Sequence, residues 1–138
     1  MASMHEAFGW FWIALGFATG AALGTGFHRE EFLGGYSAWP RRLLRLGHIA
    51  MVALGALNIL FSLSLPRIDA SAGWLHVASG SLVAGSILMP ACCALAARSK
   101  RTVPLFIAPV VLLSTGATVA WVGLLLHWLN EWGGGGLR

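Results

Sequence analysis

Five histidines, His5, His28, His48, His76 and His127, are the residues of this 138-residue chain whose chemistry is easiest to imagine at work. Imidazole nitrogens are good axial ligands for haem iron, and two of them on neighbouring helices can hold one flat porphyrin between them. Four of the five fall near the ends of four long apolar runs. Following the chain back and forth places His28 and His48 toward one membrane surface, and His76 with His127 toward the other. Two such levels, separated by most of a bilayer, would carry electrons across it between two bis-histidine b-type haems. His5 precedes the first run, and the expectation for it is an outer tail with no specific role.

Small residues share helical faces with these histidines, since offsets of three, four and seven lie on one face. Gly24 is four before His28, Gly55 seven after His48, Gly80 four after His76 and Gly123 four before His127. A macrocycle edge-on to a helix needs side chains missing above or below its ligand, and so does close helix packing. Arg45, with Arg29, Arg41 and Arg42, offers cationic partners for propionates at the first level. His48, His76, His127 and His28 are therefore the candidate iron ligands, Gly55, Gly80, Gly123 and Arg45 complete the candidate haem pockets, and a quinone is the further cofactor such a subunit would meet.

Each residue also has a plainer reading. His28 is followed by Arg29, Glu30 and Glu31, the setting of a wet interfacial side chain. His48 sits in Leu-Gly-His-Ile-Ala-Met-Val, where an imidazole must find some partner because an unsatisfied one is costly in lipid. Asn58 is the one amide near mid-membrane and suits a hydrogen bond between helices. Cys92 and Cys93 are adjacent, lack any Cys-x-x-Cys spacing and read as small buried or lipid-facing residues. All five acids, Glu6, Glu30, Glu31, Asp69 and Glu131, lie outside the apolar runs. No buried carboxylate pair or nucleophile with its base can then be built, and independent catalysis has no constellation to rest on.

The elements that must position these residues are transmembrane helices. The runs Ala7–Phe27, Leu43–Leu65, Trp74–Ala97 and Pro104–Leu129 each approach the ~20 residues that cross ~30 Å of hydrocarbon. With 57% hydrophobic and 10% charged residues, the chain lacks the polar surface of a soluble domain. The fold class is an all-α membrane protein, an antiparallel four-helix bundle forming a single domain of residues 1–138, with a flexible glycine-rich tail over 130–138. Pro40 and Pro104 suit helix starts, whereas Pro90 and Pro109 are expected to kink helix interiors.

Seven of the nine Lys and Arg residues, Arg29, Arg41, Arg42, Arg45, Arg98, Lys100 and Arg101, flank the first and third loops. The positive-inside rule makes those loops cytoplasmic and puts both termini outside, as in a bacterial-type inner membrane. The pI of about 10.1 then reflects topology and lipid contact, and no nucleic-acid partner is expected.

Gly16, Gly20 and Gly24 form a tandem Gly-x-x-x-Gly that lets another backbone approach, and it predicts packing against other membrane subunits. In helix count and histidine levels the chain resembles four-helix b-type membrane cytochromes, and that resemblance implies electron transfer. Two readings stand: a small haem-binding electron-transfer subunit, and a non-catalytic accessory subunit of a larger membrane complex whose histidines bond protein groups.

Overall fold

A computed structural model describes residues 1–134 of the chain. It is all-helical: α1 (Ala2–Phe27), α2 (Trp39–Ser64), α3 (Ala72–Arg98) and α4 (Ile107–Gly134), joined through short 3₁₀ turns at Phe32–Gly34, Leu65–Arg67 and Lys100–Phe106. All four helices are long and apolar enough to cross a membrane. At 1.5 Å per residue, about 26 residues extend roughly 40 Å, enough for the hydrocarbon and part of each headgroup layer.

The helix ends differ from the sequence expectation by one to five residues at all but the end of α1, most at the start of α1 and the end of α4. α1 begins at Ala2 instead of Ala7, which draws His5 and Glu6 into the helix. Glu6 is exposed there, and its Oε1 accepts a hydrogen bond from the Ser62 hydroxyl at 3.0 Å. α4 runs on through Gly134, so the start of the glycine-rich segment is helical; residues 135–138 lie outside the described residues.

Prolines mark the helix starts. Pro40 occupies the first turn of α2, where its missing N–H has no intrahelical acceptor to lose. Pro109, expected to kink a helix interior, is the third residue of α4, next to its junction with the preceding 3₁₀ turn. Pro90 is within α3. Loop one reverses direction through positive φ at Leu33, Gly34 and Gly35 (58°, 84° and 93°), and the two glycines supply the left-handed backbone without a Cβ penalty.

α1 packs along α2, α2 along α3 and α3 along α4, making a layer of antiparallel neighbours with α1 and α4 as its outer members. The α1–α2 register is fixed by close approaches: a Cβ added to Gly9 would meet the Gly55 carbonyl at 2.6 Å, one on Gly16 would meet Val52 at 2.7 Å, and one on Gly20 would meet His48 at 3.0 Å. Gly16 and Gly20 are thus covered by α2 of the same chain, while Gly24 has open space beside it. Across α3 and α4, Gly116 lies on Leu82 and Gly85 on Leu113.

The apolar core gathers Phe61, Ile68, Ala78 and Leu82 near the α2–α3 turn, with Leu113, Val119 and Leu124 of α4 packed on it. Large apolar side chains cover the outside instead, among them Trp10, Phe17, Ile49, Ile107 and Trp121. Side chains so exposed along whole helices require lipid or another apolar chain as their solvent.

Candidate functional site

Two places within the helices gather polar side chains or leave one without a full set of partners. The first is a closed network around His5. Its imidazole is fully buried, edge-on to the Phe61 ring with centroids 4.8 Å apart. The Asn58 amide nitrogen donates to the Leu54 carbonyl at 2.8 Å and to Ser86 Oγ at 2.9 Å, which leaves Oδ1 as the acceptor for His5 Nδ1–H at 2.8 Å. With the proton on Nδ1, His5 Nε2 accepts from the Ser79 hydroxyl at 2.8 Å. Ser86 Oγ in turn donates to Leu82 O at 2.7 Å, and Trp12 Nε1–H reaches Ser86 O at 3.2 Å.

Every polar atom named in this network has a partner, and it ties α1 to both α2 and α3. A neutral imidazole with both nitrogens engaged has nothing left for a metal or a substrate, so the network is a structural clasp. The sequence held a trace of it. Asn58 and Ser62 stand one turn apart on α2, and Ser79 and Ser86 stand seven apart on α3, so each pair marks one face. His5 was missed because an imidazole five residues from the start reads as tail until α1 is seen to begin at Ala2.

His48 is the second place. It is half-buried where α2 faces α1, with Nδ1 3.4 Å from the Leu44 carbonyl of its own helix. Its Nε2 has no hydrogen-bond partner among the described residues and lies toward the bare surface of Gly20. Apolar grooves open on both sides of the ring. One, of about 320 Å³, includes Thr19, Gly47, Met51 and Cys93; the other, about 460 Å³, includes Gly16, Phe17, Gly20 and Ala53.

The remaining sequence candidates are dispersed. His28 is the exposed C-cap of α1. Because Gly20 is level with His48, His28 lies eight residues or about 12 Å further along the axis, too far to share one porphyrin's axis with it. His76 is exposed, with Nδ1–H donating to the Ala72 carbonyl at 2.7 Å. His127 Nε2 is 3.5 Å from Glu131 Oε1 one turn on. Gly123 packs on Ile68 and Asp69, so His127 stands level with the α2–α3 loop while His76 is one to two turns deeper, about 10 Å away along the axis.

The candidate glycines divide in the same way. Gly55 is filled by Gly9 and Ile13 of α1, and Gly123 by Ile68, whereas Gly80 has open space on the outward face it shares with His76. Arg45 stacks on Tyr36 at 4.5 Å from the ring centroid, with Nη2 3.5 Å from the Tyr36 carbonyl. An outer groove of about 520 Å³ between α3 and α4 is lined by Asp69, Trp74, Val119 and Gly123, and by neither His76 nor His127. Among the described residues no group of three or more His, Cys, Asp or Glu is placed to hold a metal ion. Cys92 and Cys93 are buried free thiols, Cys92 directed at the Leu105 carbonyl at 3.6 Å.

Compared with protein-family models, with curated proteins and with solved structures, the chain has no match in any of the three. The functional reading rests on its own geometry.

Proposed function

We propose that this protein is a non-catalytic accessory subunit of a larger membrane complex, held in a bacterial-type inner membrane with loops one and three cytoplasmic and both termini outside. The observation that carries this reading is the disposition of the histidines. His5 is spent on a clasp, His76 and His127 stand at the helix surface, and the register sets each expected pair roughly two turns out of level. Large apolar side chains, by contrast, stand uncommitted along α1 and α4, with Trp121 64% exposed at mid-helix. The His76–Gly80 face and the open Gly24 offer places where a neighbouring helix could approach closely.

A second reading is favoured by His48. An imidazole with a free Nε2 between two apolar grooves suits a single axial ligand to one b-type haem, or an acceptor for a quinol hydroxyl, with Arg45 nearer the surface on the same helix. The two readings separate in one preparation. Mild-detergent extraction followed by native electrophoresis and a visible spectrum is expected to give a band well above 14.6 kDa plus detergent, containing other polypeptides and no Soret absorption that His48→Ala removes. A lone chain carrying a His48-dependent Soret band would overturn the accessory reading in favour of the second.

A further inference from the structure

At the start of α2 the chain gathers positive charge that its own carboxylates do not neutralise. Arg41, Arg42 and Arg45 lie within two turns, and among the described residues none of them, nor Lys100 or Arg101, forms an ion pair with an acid. Arg41 is committed within the chain. It is 6% exposed, lies 4.3 Å over the Phe27 ring, and donates to the Phe27 and Glu30 carbonyls at 3.1 and 3.3 Å. A cation there caps the carbonyl end of α1. Arg42 is different, being exposed and making no side-chain hydrogen bond among the described residues.

Arg42 and Arg45 border a groove of about 340 Å³ whose other walls are Trp39, Leu43, Leu46 and Ile49. Ile49 also lines the groove beside His48 that ends at Val52 and Ala53. The two grooves share Ile49, so a cationic lining is followed by an apolar one along α2. From Arg42 to Ala53 is eleven residues, about 16 Å along the helix, close to the ~15 Å depth of one hydrocarbon leaflet. The amino end of α2 adds its partial positive charge at the cationic end.

We propose that these two grooves together are a binding site for an anionic diacyl phospholipid, its headgroup phosphate held by Arg42 and Arg45 and one acyl chain lying over Leu46, Ile49 and Ala53. Charge complementarity selects the occupant. Guanidinium groups bind phosphate oxygens through paired N–H donors, and a zwitterionic headgroup brings an ammonium that this corner repels.

The test uses the full-length protein reconstituted in phosphatidylcholine vesicles carrying trace spin-labelled phosphatidylglycerol or spin-labelled phosphatidylcholine, with the motionally restricted fraction read by electron spin resonance. Wild type is expected to prefer the anionic label roughly tenfold, at about fivefold for each well-placed arginine with partial overlap of their effects. Arg42→Gln with Arg45→Gln should reduce the preference to about twofold, and Arg42→Lys with Arg45→Lys should keep most of it. The charge-matched loop-three control, Arg98→Gln with Arg101→Gln, should remain near wild type. The site is refuted if the first double variant, with unchanged helix content, keeps the full preference, or if the loop-three control loses as much. A wild-type preference unaffected by raising salt from 0.1 to 1 M would refute it without recourse to any variant.

Discussion

His5 and His48 are the same side chain in the same lipid-facing fold, and their surroundings make them opposites. Both nitrogens of His5 are bonded to side chains of two other helices, its ring is fully buried, and the neighbouring amide and hydroxyls complete one another. His48 bonds one carbonyl of its own helix at 3.4 Å and leaves Nε2 facing space flanked by grooves. An imidazole that joins helices through both nitrogens is spent on stability, whereas one held only by its own helix contributes little to packing and keeps a lone pair for something else.

The contrast can be broken most severely at the contact that sets both histidines in register. Gly9→Leu would drive side-chain atoms into the Gly55 carbonyl and Ile59, and is expected to cost about 3 kcal/mol and to part α1 from α2. Thermal unfolding in detergent, followed by circular dichroism, reads the loss. Stability within error of wild type would mean that α1 does not lie where its register with α2 puts it.

Next in size is the clasp. Asn58→Leu removes the acceptor of His5 Nδ1–H and a donor to Ser86, and is expected to cost about 2 kcal/mol, near the upper range for interhelical hydrogen bonds in membranes. His5→Leu should cost a similar amount. The double variant should cost little more than either single, because the two side chains belong to one network. Fully additive losses would show the network to be a set of independent contacts.

His48→Ala sharpens the other half of the comparison. It is expected to change stability by less than about 1 kcal/mol, since one long bond to its own helix and a partly exposed ring are all it gives up. A much larger loss, matched by a cofactor lost from the purified protein, would move His48 from spectator to ligand.

The smallest expected effect concerns Gly24 and Gly80, both open to their surroundings. Gly24→Ala and Gly80→Ala should leave the unfolding of the isolated chain unchanged or raise it by a few tenths of a kcal/mol, because helix propensity gains and nothing in the chain is crowded. If either weakens recovery of co-purifying subunits in native electrophoresis, that face is a contact. Gly20→Leu acts differently, since its side chain would meet His48 within the chain.

Much of the helical plan is legible in the sequence because hydropathy acts residue by residue. Four apolar stretches without Asp, Glu or Lys have no other stable outcome in water or lipid, and Pro40 stands at the entrance to α2, while Pro104 falls inside the 3₁₀ turn that precedes α4. The histidines are harder to read, because levels inferred from distance along each run assume helices that begin together. α1 begins at Ala2, and close glycine contacts set its register so that Gly20, not His28, is level with His48.

The sequence by itself determined that this chain is helical, that its helices are long and apolar enough to cross a membrane, and that its positive charge collects around two of its three loops. Those are properties of composition and order along the chain. Tertiary structure alone decided which imidazoles meet partners. Hydrogen bonding depends on atoms brought together across 53 and 74 residues of chain, and a helical offset of two turns is enough to turn an apparent ligand pair into two unrelated side chains. It also decided that the glycines at positions 16 and 20 meet α2 and not a stranger, because the closest backbone available to a bare helix face is the one its own short loop delivers.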